Sequence, residues 1–186
     1  MGLRIISGDL KGRKLCSIPG LHIRPTSDRV RESIFNILST RVRDAIVLDL
    51  FAGTGALGIE ALSRGADFAV FVDNHRRAQW AVERNIRILA LEKRTRVIRW
   101  DAAINLHCLR SHQPPFDLVF MDPPYHQNLI SPVTENLLTG NCLAQGAVIV
   151  IEHGSRERVP EDSSAVVMTD QRTYGKTLVS ILRYML

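Results

Sequence analysis

The residues Asp122-Pro123-Pro124-Tyr125 place a carboxylate, two stiff backbone units and a flat ring in four consecutive positions. That set suits an amine conjugated to an aromatic ring. Such an amine is a poor nucleophile, because its lone pair is delocalised. Accepting both of its hydrogens draws the lone pair back onto nitrogen. The Asp122 carboxylate offers one acceptor and the Pro123 carbonyl the other. Consecutive prolines have restricted φ and no N–H, so the carbonyl is aimed in advance. The Tyr125 ring offers a stacking surface, worth about 1–3 kcal/mol per base in nucleic-acid systems. A rigid turn with an incidental acid and ring is the plain alternative.

A second set surrounds Gly53, Gly55 and Gly58, spaced G-x-G-x-x-G. Glycines at this spacing let a backbone turn tightly into a helix and approach a ligand closely. NAD, FAD and S-adenosylmethionine (SAM) sites all use such a loop, so the spacing alone does not choose among them. Asp49 precedes the first glycine by four residues, and Asp73 follows it by 20. SAM carries an ammonium and a sulfonium and no pyrophosphate. A carboxylate at Asp49 suits that charge and would repel a pyrophosphate. The plain alternative is a glycine turn with a buried aspartate capping the helix.

The elements that must position these residues are legible as apolar runs. Residues 45–48, 68–72, 118–121 and 147–151 are continuous apolar stretches, with a weaker one at 96–100. Such runs are predicted strands buried on both faces, as in a parallel sheet. A helix is predicted over 75–91, with Ala78, Val82, Ile86 and Leu89 on one face. Strand–helix alternation implies an α/β doubly wound sheet. Residues 165–168 and 177–182 have no helix between them and are predicted to close one edge as an antiparallel pair. Asp49, Asp73, Asp101 and Asp122 then fall at four successive strand ends. In an open α/β sheet that rim is the ligand crevice.

The 186 residues carry a net charge of +5, with 45% apolar and 23% charged residues. These values exclude a disordered chain, and no apolar run reaches the roughly 20 residues of a membrane helix. The first residues lack the apolar core of a signal peptide, so a soluble, cytoplasmic protein is expected. Cys16, Cys108 and Cys142 are scattered with no CxxC pair, and His107, Cys108 and His112 lack zinc spacing. No metal is expected. His126 and His153 fall near the rim and are expected at the surface.

Residues 1–43 hold nine Lys/Arg against three Asp/Glu, whereas the remainder holds 15 against 16. A concentrated positive patch attracts polyanions by counterion release. The segment is predicted to be a short hairpin followed by a helix, with Ser27 as N-cap and Val30, Ile34, Ile37 and Leu38 as its apolar stripe. Residues 1–43 are thus an expected basic extension on a catalytic domain of 44–186, together one compact unit.

Several of these stretches resemble one family. The Asp49–Gly55 loop looks like motif I of class I SAM-dependent methyltransferases. Asp122–Tyr125 matches the [Asp/Asn/Ser]-Pro-Pro-[Tyr/Phe/Trp] motif of methyltransferases acting on exocyclic amines of nucleobases. The stretch Arg24-Pro25-Thr26-Ser27-Asp28-Arg29-Val30-Arg31-Glu32 with Phe35-Asn36 is more specific. Together with Arg4–Gly8, Lys11–Leu15, Glu60–Gly65 and Tyr174-Gly175, it resembles the RsmD-type 16S ribosomal RNA guanine-N2 methyltransferases over nearly the whole chain.

The resemblance implies a Rossmann-like, seven-stranded, mostly parallel sheet of order 3-2-1-4-5-7-6, with strand 7 antiparallel. It implies SAM as cofactor and a guanine N2 in small-subunit ribosomal RNA as target, position 966 being the family type. It also implies action on the small subunit or an assembly intermediate, by a monomer without metal. Asp49, Phe51, Ala52, Gly53, Thr54 and Gly55 would hold the methionine part of the cofactor. Asp73 and Asn74 would meet the ribose, and Asp101 with Ala102 the adenine. Asp122, Pro123, Pro124 and Tyr125 would hold the guanine. The expected RNA contacts are Arg4, Lys11, Arg13, Lys14, Arg24, Arg29 and Arg31. The alternatives are an NAD-dependent oxidoreductase, which leaves Asp49 and Asp122–Tyr125 without a role, and a non-catalytic RNA-binding assembly factor.

Overall fold

The computed structural model describes residues 2–17, 27–160 and 164–186. Helices α1 (Asp28–Leu38), α2 (Ala56–Ser63), α3 (Arg76–Ile88) and α4 (Ile130–Thr139) flank strands β1 (Ile46–Leu50), β2 (Phe68–Asp73), β3 (Thr95–Arg99), β4 (Phe116–Met121), β5 (Leu143–Gly154), β6 (Val166–Tyr174) and β7 (Thr177–Tyr184). The strands form one sheet of order β3-β2-β1-β4-β5-β7-β6, as expected. Pairing is parallel from β3 through β5, and β7 runs antiparallel to both of its neighbours.

Strand alternation divides the core into two layers. Val47, Phe71, Phe120, Val150 and Ile181 face α1, α2 and α3. Leu48, Leu50, Val72, Met121, Ile149 and Leu182 face α4 and the loop carrying Leu106 and Leu109. Both faces of the central strands are therefore covered, which is why their sequences are apolar without alternation.

The N-terminal segment doubles back, but regular strands do not form. Arg4 and Lys14 make a single antiparallel bridge, supported by Ile5 N–H to Arg13 O and Leu15 N–H to Leu3 O. Ile5 and Leu15 join the same core layer as α1. The segment docks on α2 through polar contacts. The buried Glu60 carboxylate accepts from Ile6 N–H (2.8 Å), Ser7 N–H (2.9 Å) and Arg64 Nε (2.8 Å). One turn on, Ser63 O accepts from Asp9 N–H. Gly8 is forced by this approach, since a Cβ there would lie 1.8 Å from Ser63 O.

Helix α1 begins as expected, with the Ser27 hydroxyl accepting from Val30 N–H. Its buried stripe is Val30, Arg31, Ile34, Phe35 and Leu38, with Ile37 only partly buried. Arg31 corrects an expectation. It is fully buried (0% exposed), bonded to Asp28 Oδ1 and to Arg4 O, and cannot reach an RNA phosphate. The N-terminal segment lies over it; burial lowers the guanidinium from its ordinary value, and the carboxylates of Glu60 and Asp28 offset this in part. Arg24 lies outside the described residues.

Glu60→Ala should release the N-terminal segment, because two backbone donors lose a charged acceptor. The expected loss is about 2–5 kcal/mol of stability, and Glu60→Gln should lose less. Faster amide hydrogen exchange at Ile6 and Ser7 is the direct measure. Unchanged exchange in the alanine variant would show that the segment is held by Ile5 and Leu15 alone.

Candidate active site

The carboxyl ends of β1 to β4 carry the expected acids to one rim. Asp49 sits within β1 and is only 2% exposed. Its Oδ2 accepts from Gly58 N–H at 2.9 Å. Gly58 is the third residue of α2, so Asp49 satisfies one of the orphan donors at the start of that helix. The bland alternative for this residue is thus part of what it does. Gly58 must lack a side chain, since a Cβ would stand 2.4 Å from the Phe71 ring and 3.1 Å from Asp49 Oδ2.

Between them the loop turns through positive φ at Phe51, Gly53 and Gly55, and Ala52 N–H reaches Val72 O at the end of β2. Asp73 then ties the loop to β2: Oδ2 accepts from Gly53 N–H (2.9 Å) and Oδ1 from His75 N–H (2.8 Å). Thr54 O is held by Asn85 Nδ2 of α3 (2.9 Å). At the end of β3, Asp101 Oδ2 accepts from Asn74 Nδ2 (3.3 Å) and Oδ1 from Ala103 N–H (3.0 Å), beside the buried Ala102. The structure therefore links the expected cofactor positions of β1, β2 and β3 into one hydrogen-bonded rim.

Burial pushes the Asp49 carboxyl up to about 8; the Gly58 N–H pulls it part of the way back, and the charge of Asp73 pushes it further up. A ligand bearing a positive charge would relieve this and hold Asp49 ionised. Each carboxylate has roughly four lone-pair sites, so Asp73 and Asp101 can accept ligand hydroxyls or amines beyond their backbone bonds. Residues 49–58 contain no Lys or Arg. The donor set fits a cationic ligand with hydroxyl groups, and disfavours a pyrophosphate.

Asp122 directly follows β4, with Pro123 buried and Pro124 exposed. Tyr125 is half-buried, and its hydroxyl donates to Glu152 Oε1 (3.2 Å) and lies 3.2 Å from Thr177 Oγ1. Burial pushes this phenol well above its ordinary value; Thr177 opposes the shift, and the charges of Glu152 and Asp122 add to it. The hydroxyl thus stays protonated and anchors the ring. Downstream, Glu157 accepts from His126 N–H (3.2 Å) and Gly154 N–H (2.8 Å), pinning the exit of the turn to the end of β5.

Glu152, Thr177 and Glu157 were not anticipated. Glu152 (7% exposed) follows the apolar run of β5, so the strand-end rule that singled out four aspartates points to it as well. His126 is exposed, but His153 is buried, against expectation, with its ring nitrogens 2.8 Å from Ser180 Oγ and 3.0 Å from Gly154 O. Arg4, Lys11, Arg13, Lys14 and Arg29 are exposed. Arg4 pairs with Asp28 at 3.4 Å, and Arg13 Nη2 donates to Ile88 O at 3.2 Å. No cluster of three metal-ligating side chains occurs among the described residues.

The family model named Conserved hypothetical protein 95 matches residues 3–183. Among curated proteins, the chain is 40% identical over 181 residues to "Putative rRNA methyltransferase YlbH" of Bacillus subtilis, covering 97% of this chain and 98% of that protein. It is 39% identical over 159 residues to "Ribosomal RNA small subunit methyltransferase D" of Escherichia coli, covering 85% and 78%. A solved structure, "Putative methyltransferase yhhF from Escherichia coli", matches with a TM-score of 0.85 and 33% identity over 98% of both chains.

Asp49→Asn should keep the acceptor for Gly58 while removing the titrating group. In the wild type, the folded state holds a proton that the unfolded chain releases near the ordinary value of 3.8. Folded stability relative to the variant should therefore fall as pH rises from about 4 to about 8, then level off. Thermal unfolding of both proteins across that range measures the difference. Parallel curves would show that Asp49 is ionised in the folded protein.

Proposed function

The chain belongs to the Conserved hypothetical protein 95 family of RsmD-type methyltransferases, and from that premise we propose that it transfers a methyl group from SAM to the N2 amine of a guanine in small-subunit ribosomal RNA. The observation that carries the proposal is the pairing of β1 with β4. Asp49 lies opposite Phe120 and Leu50 opposite Met121. The glycine loop and the Asp122–Tyr125 turn thus leave adjacent strands, whose backbones lie about 4.8 Å apart. A donor group held by one would face an amine held by the other.

SAM, when bound, supplies the electrophilic methyl group. The chain's own residues bind, align and accept protons. Asp49 would face the ammonium, with Phe51, Ala52, Gly53, Thr54 and Gly55 around the methionine portion. Asp73, beside Asn74, would accept the ribose hydroxyls, and Asp101 and Ala102 would flank the adenine. The guanine leaves its stack at a cost of a few kcal/mol and enters beside Tyr125. Asp122 and the Pro123 carbonyl accept the two N2 hydrogens and orient the lone pair. Catalysis rests on alignment more than on prior deprotonation. After transfer the nitrogen is cationic and acidic, and its proton passes to Asp122 or water.

Arg4, Lys11, Arg13, Lys14 and Arg29 position the RNA through its phosphates. The family's position-966 guanine, in the small subunit or an assembly intermediate, is the target we assign. The protein acts in the cytoplasm as a monomer, without metal. No helix of the described residues is long and apolar enough to cross a membrane. A hydride-transfer reading gives Asp122–Tyr125 no task.

Labelled SAM with 16S ribosomal RNA or small subunits should yield N2-methylguanine by mass spectrometry. Asp122→Ala should lower the transfer rate on the order of 100–1000-fold while SAM affinity, by calorimetry, holds. Tyr125→Phe should be milder than Tyr125→Ala, because it keeps the stacking ring and loses only the bonds to Glu152 and Thr177. Wild-type turnover in Asp122→Ala would remove the proposed role, and a methyl group on another atom would reassign the target.

A further inference from the structure

We propose that the exposed face of α3 is a second RNA-contact surface, an arginine–tryptophan strip that grips phosphates and stacks on one unpaired base. It rests on RNA being the substrate. Arg77, Trp80, Arg84 and Arg87 recur at three- and four-residue spacing, so they share one row of the helix. All four are exposed. The opposite row, Ala78, Ala81, Val82, Asn85 and Ile86, is buried and sets the rotation of the helix.

Four features argue against a merely solvated face. Trp80 is 46% exposed, a large aromatic surface that the core does not use. The Arg84 guanidinium carbon sits 5.1 Å from the Trp80 ring centroid, combining a cation and a π-face of the kind that takes up single-stranded bases. The first turn of α3 holds Arg76 and Arg77 and no acid. Cations are unfavourable at that end of the helix dipole, so local stability gives no reason for them. Among the described residues none of Arg76, Arg77, Arg84 and Arg87 forms an ion pair.

The strip is continuous with both parts of the proposed site. Its N-terminal end follows Asp73 and Asn74 at the rim. At its other end Arg13 donates to Ile88 O and Cys16 N–H to Asn85 Oδ1, which brings the basic N-terminal segment against the last turns of α3. From Arg77 to Arg87 the helix rises about 15 Å. Residues 76–99 hold eight Lys/Arg against two Asp/Glu, so the basic charge is not confined to the N-terminal segment. An RNA strand whose target base occupies the rim has a cationic track along which its backbone can lie.

The test uses the full chain and unmethylated 16S ribosomal RNA, free and in small subunits, with SAM affinity and thermal unfolding as controls. The triple variant Arg77→Gln, Arg84→Gln, Arg87→Gln should lower the slope of log affinity against log salt by about 2–2.7. Trp80→Ala should weaken binding about 5–150-fold at unchanged slope, and Trp80→Phe should recover part of it. Slopes and affinities equal to wild type, in variants that fold and bind SAM, would overturn the strip while leaving the methyl-transfer reading intact. Weakening seen only with assembled subunits would instead assign α3 to a ribosomal protein and overturn it too. A wild-type protein that neither binds nor methylates RNA would overturn the substrate reading itself.

Discussion

A carboxylate in the middle of a covered sheet is the constraint on which the site depends. Asp49 has β2 on one side, β4 on the other, and apolar layers above and below. An isolated charge there would be costly, so burial pushes the group up to about 8, and one oxygen accepts from Gly58 N–H. That bond brings α2 against β1 closely enough that residue 58 must be glycine. The loop between the two then has little choice of path, and its Gly53 N–H falls on Asp73. Two residues beyond Gly58, Glu60 gathers the N-terminal segment through Ile6 and Ser7. One line of contacts thus runs from the sheet centre to the far side of α2, and the rim and the basic extension are positioned by the same helix.

Charge is sorted over this scaffold. Four aspartates occupy the strand ends, where a cationic ligand and an amine would be held. Clusters of arginine and lysine lie on the N-terminal segment and on α3. A polyanion is drawn to the second region and repelled by the first, so long-range forces orient it before any base is recognised. A base carries no net charge and presents donors, so it is suited to the acidic rim as a phosphate is not.

Much of this architecture is written in local patterns. The central strands are visible because both faces are buried, and α3 because its buried row repeats at 3.6 residues. The acids at four strand ends follow from the strands themselves. The burial of Arg31 is not legible in α1 itself, because the N-terminal segment that covers it comes from a different part of the chain. Glu152 was overlooked for a related reason. Its partner Tyr125 lies 27 residues before it, Thr177 lies 52 residues beyond Tyr125, and β5–β7 pairing brings Thr177 beside the end of β5. The second basic stretch does not show in the net charge of residues 44–186, where acids elsewhere cancel it. The N-terminal hairpin keeps one bridge and no regular ladder, because Gly8 and Gly12 take positive φ and the Ile6 and Ser7 N–H groups turn to Glu60 of α2.

The placement of β7 has a consequence for the order of events during synthesis. Strand β6 is made before β7, yet in the finished sheet β7 lies between β5 and β6. Until residues 177–184 have emerged from the ribosome, β5 presents an open backbone edge and β6 has no partner in the sheet. An open, apolar edge is a template for pairing with other chains. The nascent protein thus passes through an aggregation-prone stage that ends when β7, paired with β6 as a hairpin, adds to the β5 edge. The same strand carries Thr177 to Tyr125, so the anchoring of the tyrosine ring is among the last contacts to form.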